Sequence, residues 1–175
     1  GCGLGKSEGL IEFIRKLLVA EPALGIPVVI DADGLNNIAS IEAWHEGLKS
    51  PVVITPHTGE MATLTKTTAE SIEGARWEAA SFWASRWGHT VVLKGAHTAL
   101  ASPDGSCWVS PFANPGLATA GTGDVLAGMI GGLLAQGLSP MDAAVCGVYI
   151  HGAAGEFVSS AMGDAGTLAG DLIDA

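Results

Sequence analysis

The sequence predicts an α/β fold: a mostly parallel sheet covered by helices on both faces, with an antiparallel hairpin at one edge. Three observations predict it. Short, uninterrupted apolar runs (Pro27-Val-Val-Ile30, Pro51-Val-Val-Ile54 and Thr90-Val-Val-Leu93) alternate with helix-period segments, the pattern of parallel strands buried on both faces. Asp104-Gly105 separates two strand-like runs, His97 to Ala101 and Cys107 to Ser110, which is hairpin chemistry. The 175 residues are 48% hydrophobic and 15% charged, enough for one domain with its own core and too apolar for a disordered chain.

The elements follow in order. Leu10, Ile11, Ile14, Leu17 and Leu18 fall on one face of a helix over residues 7–20, ended by Pro22 and Gly25. The first strand ends at Asp31, Asp33 and Gly34, and a weaker helix is expected from Asn37 to Glu46. The second strand leads into Thr55-Pro-His-Thr-Gly-Glu60. A long helix is expected from Ala69 to Trp87 with Ile72, Ala75, Ala79, Phe82 and Trp83 inward. After the third strand and the hairpin, one helix runs from near Gly123 to Gln136. A second starts with Ser139 as N-cap, Pro140 at its first position and Asp142 at its third, and continues to Phe157.

Eighteen acidic residues against eight Lys and Arg give a net charge of −10, which argues against a nucleic-acid or anionic-membrane surface. Mean hydropathy is +0.39, yet the longest uncharged helix candidate, Val125 to Met141, is rich in glycine and falls short of the ~20 apolar residues of a membrane span. Residues 1–20 show neither a basic start nor a small-residue cleavage site, so no signal peptide is expected. Cys2, Cys107 and Cys146 are odd in number and form no CxxC pattern, which suits a reducing, cytoplasmic setting.

Ligands of parallel sheets bind beyond the carboxyl ends of the strands. Three polar groups occupy that place here: Asp31–Asn36, His57–Glu60 and Lys94–Thr98. Lys94 at the mouth of a buried strand either meets a phosphate or snorkels to solvent. Asn114-Pro-Gly-Leu-Ala-Thr-Ala-Gly-Thr-Gly-Asp124 leads into a helix start, where free N–H groups and the positive dipole end favour an anion. Gly121, Thr122 and Gly123 form this candidate anion hole. Asp124 either accepts a proton from a substrate hydroxyl or serves only as an N-terminal helix acid. His57-x-x-Glu60 is too small for a zinc site, but Glu60 could hold a hydrated Mg²⁺, or simply be a first-turn helix acid. Gly1-Cys-Gly-Leu-Gly-Lys6-Ser7 imitates a Walker A loop but has three residues between its glycines where four are required. His151 reads as a hydrogen-bonded core histidine, Trp83 and Trp87 as packing residues, and His45 and His89 have no evident partner.

Read together, these segments resemble the ribokinase-like superfamily and, more closely, the NAD(P)H-hydrate dehydratase family. The matching pieces are Gly1-Cys-Gly-Leu-Gly5, Asp31-Ala-Asp-Gly-Leu-Asn36, Thr55-Pro-His-Thr-Gly-Glu-Met61, Lys94-Gly-Ala-His-Thr98, Asn114 through Gly128, and His151-Gly-Ala-Ala-Gly-Glu156. The resemblance implies a three-layer ribokinase-like sandwich over residues 1–175, corresponding to the C-terminal two-thirds of the family's domain. It differs at Cys2 and Thr58, where the family usually has Pro.

The resemblance further implies repair of hydrated NADH or NADPH: a nucleotide phosphorylates the ring hydroxyl and phosphate then leaves. By residue, it implies that Asp124 is catalytic, and that Gly5, His57 and Asp124 bind the hydrate. Lys94, Gly95, Ala96, His97, Thr98 and Gly123 bind the nucleotide, and Glu60 is associated with Mg²⁺. His57 favours ADP over ATP as co-substrate. The alternatives are a vitamin or sugar kinase of the same superfamily, or a non-catalytic nucleotide-binding module. Association as a homo-oligomer, or with a separately encoded N-terminal piece, is expected.

Overall fold

The computed structural model describes residues 1–20, 25–163 and 165–175. Among the described residues five strands form one sheet in the order β1-β2-β3-β4-β5: Val28–Ile30, Val52–Ile54, Thr90–Leu93, Ala99–Ala101 and Cys107–Val109. The first three are parallel, in the register Val29↔Val53 and Ile54↔Val91. The direction then reverses, since β4 is antiparallel to β3 and β5 to β4. The helices are α1 (Glu8–Ile14), α2 (Asp33–Ile38), α3 (Trp44–Gly47), α4 (Thr58–Thr65), α5 (Ala69–Gly74), α6 (Arg76–Trp87), α7 (Thr122–Ala135) and α8 (Pro140–Met162).

The period-2 alternation of the strands splits the core into two layers. Ile54, Val91, Leu93 and Ala99 point to the face covered by α1–α6. Val53, Val92 and Leu100 point the other way, onto Leu126, Ile130 and Leu134 of α7 and Ala143, Ala144 and Val148 of α8. Helices thus cover both faces, as expected.

Several element boundaries differ from expectation. The helix expected over 7–20 starts with Ser7 as N-cap, but after Ile14 it continues as a π-helical stretch, Arg15–Ala20. That wider turn loses the 3.6-residue phase, so Leu17 is exposed while Val19 packs on the core. The expected stop at Pro22 lies outside the described residues. β1 is an edge strand of the described sheet, in which Ile30 is buried and Val28 and Val29 are half-buried.

The weak helix of 37–46 is two shorter pieces, α2 and α3, each preceded by a positive-φ alanine, Ala32 and Ala43. The long helix of 69–87 breaks at Ala75 (φ −147°, ψ 50°). The break resets its phase: Ala80, Ala84 and Trp87 face inward, while Ala75 and Phe82 are exposed. The hairpin strands are shorter than expected and β5 is exposed throughout. Ser139 caps α8 by accepting from Asp142 N–H, and α8 runs five residues past Phe157.

Candidate active site at the strand ends

The carboxyl ends of β1, β2 and β3 meet at Lys94. Its ammonium lies 2.7 Å from Asp31 Oδ1 and 3.8 Å from Glu60 Oε2, and all three side chains are at most one-fifth exposed. The Lys94 N–H donates to the Pro56 carbonyl at 2.8 Å, and a parallel bridge between His57 and Lys94 extends the β2–β3 pairing by one step. The end of β3 and the loop after β2 are therefore held together by backbone before any side chain acts.

His57 and Glu60 are a reciprocal helix cap. His57 Nδ1 accepts from the Gly59 and Glu60 N–H groups at 3.0 and 3.2 Å, while Glu60 Oε2 accepts from His57 N–H at 2.8 Å. An Nδ1 that accepts two N–H bonds carries no proton, so the proton of a neutral ring sits on Nε2, 3.6 Å from Glu60 Oε1. Both residues thus cap α4 and stand at the site. Thr58 is the first residue of α4, a position that suits proline because its N–H has no helical partner. Its hydroxyl is instead bonded to Arg76 and Glu73.

The loop at the N-terminus is fastened to this cluster. Asp33 Oδ2 accepts from Gly5 N–H at 2.8 Å, and Asn37 Nδ2 donates to the Gly5 carbonyl at 2.9 Å. Cys2 sits beside Asp124, whose carboxylate pushes the thiol pKa up. Asp124 is exposed, in the first turn of α7. That turn opens at Gly121, whose φ of +89° is easily adopted only without a side chain. Thr122 is buried, its hydroxyl donating to the Leu117 and Thr119 carbonyls. Among the described residues the N–H groups of Gly121 and Gly123 carry no hydrogen bond. They remain free to receive an anion.

A cavity of about 330 Å³ opens beside Lys94. Lys94, Gly95, Ala96 and Thr98 form one wall, Thr122 and Gly123 another, and Phe112, Leu117 and Val148 make it largely apolar. A Cβ built on Gly123 would come within 3.5 Å of Lys94 Nζ, so the backbone of α7's first turn faces the ammonium directly. His97, named with this group from sequence, does not line the cavity. Its ring Nδ1 pairs with the Ser110 carbonyl at 3.1 Å and its φ is +52°. His151 is buried at the cavity's edge, with Nε2 bonded to the Thr122 carbonyl at 2.9 Å. A carbonyl only accepts, so Nε2 carries the proton, and burial holds the ring's pKa down.

Sequence reasoning missed Ser110 and Phe112 in the cavity wall and the clamp formed by Asn37. None sits in a recognisable motif. Of the histidines without a foreseen partner, His89 is buried against Trp44 and bonds the His45 carbonyl.

A family model described as NAD(P)H-hydrate dehydratase matches residues 1–175. The chain belongs to the NAD(P)H-hydrate dehydratase family. Among its relatives is the bifunctional NAD(P)H-hydrate repair enzyme Nnr of Moorella thermoacetica, 45% identical over 174 residues, covering 99% of this chain and 32% of the relative. The ADP-dependent (S)-NAD(P)H-hydrate dehydratase of Neisseria meningitidis serogroup B is 41% identical over 179 residues, covering 100% of this chain and 60% of the relative. A crystal structure of the ADP/ATP-dependent NAD(P)H-hydrate dehydratase from Bacillus subtilis, co-crystallized with ATP/Mg²⁺ and soaked with CoA, superposes with a TM-score of 0.85. It is 34% identical, and the match covers 98% of this chain and 60% of that one. The chain thus spans about a third of the bifunctional relative and 60% of the dehydratases.

Proposed function

We propose that the chain carries out nucleotide-dependent dehydration of hydrated NADH or NADPH, with ADP as the phosphoryl donor. The observation that carries this reading is the position of Lys94. Its ammonium stands between two buried carboxylates and the bare backbone of Gly123, at the mouth of an apolar cavity suited to an adenosine.

In this reading the nucleotide fills the cavity and its phosphates lie between Lys94 and the free N–H groups of Gly121 and Gly123. The hydrate lies on the other side of α7's first turn, against the Gly1–Gly5 loop, His57 and Asp124. Asp124 takes the proton of the ring hydroxyl as the hydroxyl oxygen attacks the terminal phosphoryl group. AMP departs from ADP, and the backbone N–H groups stabilise the transferring group. Phosphate then leaves the ring carbon while the neighbouring carbon loses a proton, and the double bond is restored.

The donor set also bears on magnesium. Among the described residues no three His, Cys, Asp or Glu side chains cluster as a metal cage. Glu60 presents one carboxylate oxygen free of hydrogen bonds, which fits a Mg²⁺ held through its own waters beside phosphates. When bound there, the ion would supply neutralisation of phosphate charge.

The 175 residues, in this proposal, are the C-terminal two-thirds of one ribokinase-like domain, and they work in a reducing, cytoplasmic setting. The free cysteines Cys2, Cys107 and Cys146 support the latter. Among the described residues, no helix is long and apolar enough to cross a membrane. Association, with a second copy or a separately encoded N-terminal piece, is supported by exposed apolar side chains such as Tyr149 and Phe157 on α8. Light scattering across concentration tests it, and a strict monomer would refute it.

The activity is tested by incubation with NADH hydrate, Mg²⁺ and ADP or ATP, following recovery of NADH absorbance. Recovery is expected. A stable phosphorylated alcohol would make the chain a kinase, and neither product would overturn catalysis.

A further inference from the structure

We infer that Arg76 is a positioning residue: its guanidinium ties the end of β3 to the start of α4, and so sets where Lys94 and the Gly95–Thr98 turn stand relative to Glu60. The inference deepens the reading proposed above and rests on it for the role of Lys94.

Arg76 does not line the cavity, and it meets the nucleotide-binding residues Lys94 and Gly95 only at their backbone. Its Nη2 donates to the carbonyls of Leu93 and Lys94 at 3.1 and 3.0 Å. Those are the last carbonyl of β3 and the first one beyond it. Its Nη1 donates to Thr58 Oγ1 and Glu73 Oε2, both at 3.0 Å, and the Thr58 hydroxyl in turn donates to Glu73 Oε2 at 2.8 Å. One planar group thus holds two carbonyls on one element and a hydroxyl on another, a task that the fixed fork of an arginine performs and a lysine cannot.

Two further features belong to the same device. The Arg76 side chain is only 11% exposed, so these bonds are shielded from water and stronger than surface ones. The backbone of Gly95 lies directly on the guanidinium, because a Cβ there would come within 2.5 Å of Nη2. Gly95, at φ +154°, is thereby required by Arg76 as much as by any ligand. The break at Ala75 puts Arg76 at the start of α6, one turn after Glu73 at the end of α5. Loss of Arg76 would leave the turn that carries Lys94 held by its Pro56 bond, the Lys94–Asp31 ion pair and the hairpin.

The test compares the parent chain with Arg76→Met, Thr58→Val, Lys94→Met and the Arg76→Met/Lys94→Met pair. Amide hydrogen exchange in the unliganded protein reports on the turn without any nucleotide. Arg76→Met is expected to speed exchange of the Lys94 and His97 amides, which are bonded to the Pro56 and Phe112 carbonyls, by about 10-fold or more, leaving α8 unchanged. Thr58→Val, which cuts only the α4 side, is expected to speed it by a smaller factor and stands in if Arg76→Met does not fold.

ADP titration supplies the readout that a purely structural role would not move. Arg76→Met is expected to weaken ADP by about 10-fold in the parent but to add nothing once Lys94 is Met. Unchanged exchange at Lys94 and His97, or fully additive losses of ADP affinity, would overturn the inference. A parent chain that folds but binds no ADP would overturn the functional reading instead, with the exchange result still deciding the role of Arg76.

Discussion

Lys94→Met is the perturbation whose consequences the structure specifies most fully. Met keeps most of the apolar stem and removes the ammonium. Asp31 and Glu60, 5% and 8% exposed in their side chains, then face each other's surroundings without a cation. Stranding a buried charge by removing its partner costs about 3–5 kcal/mol. At about 2–4 °C per kcal/mol for a domain of this size, the melting temperature should fall by about 6–20 °C. ADP should lose a charge-assisted contact worth about 1.5–3 kcal/mol, a drop in affinity of about 10- to 150-fold. Adding Asp31→Asn removes one stranded charge. The double variant should recover part of the stability and none of the affinity. Scanning calorimetry and isothermal titration on the same preparations separate the two effects. Melting of Lys94→Met within about 2 °C of the parent, or undiminished ADP affinity, would refute the assignment of Lys94 as the site's shared cation.

Three other outcomes are expected. Asp124→Asn should lower turnover by about 10²–10⁴-fold in NADH-hydrate assays, with ADP affinity unchanged or tighter. A role confined to the helix N-terminus would instead leave turnover intact. Gly152→Ala places a methyl group into the Phe112 ring, so thermal denaturation should show a loss of about 1–3 kcal/mol, and displacement of Phe112 should weaken ADP binding. Burial lowers the pKa of both His89 and His151. The unfolded chain then takes up protons first as pH falls through about 6.5, so stability should decline from there toward pH 5.5. Melting temperatures across that range check it, and the slope should flatten in a His89→Asn/His151→Asn variant.

The strands were legible because Val-Val-Ile and Val-Val-Leu runs have few other uses in a chain of this length, and the turn at Asp104-Gly105 announced the reversal. The meeting of Asp31, Glu60 and Lys94 followed from one topological rule, that parallel strands present their carboxyl ends together. Helix phase was less legible. A single non-helical residue at Ala75 rotated Phe82 out and Trp87 in, and a π turn after Ile14 exposed Leu17. Neither has a local signal, because each is imposed by what the helix must pack against. The partners of Arg76 and Asn37 were out of reach for a related reason. Carbonyls 17 and 18 residues from Arg76, or 32 from Asn37, are specified by the folded backbone and leave no mark on spacing.

The change of strand direction after β3 has a practical consequence. A parallel strand reaches the ligand end once, whereas β4 leaves from that end at Thr98 and β5 returns to it at Ser110, both of which line the cavity. The turn between them, Pro103 to Ser106, lies at the opposite end of the sheet, beside the first residues of β2 and β3. A fluorophore on exposed Ser106 would sit at the far end of the hairpin from Thr98 and Ser110. It would report tilting of the hairpin when the cavity fills, while leaving every group assigned to chemistry unlabelled.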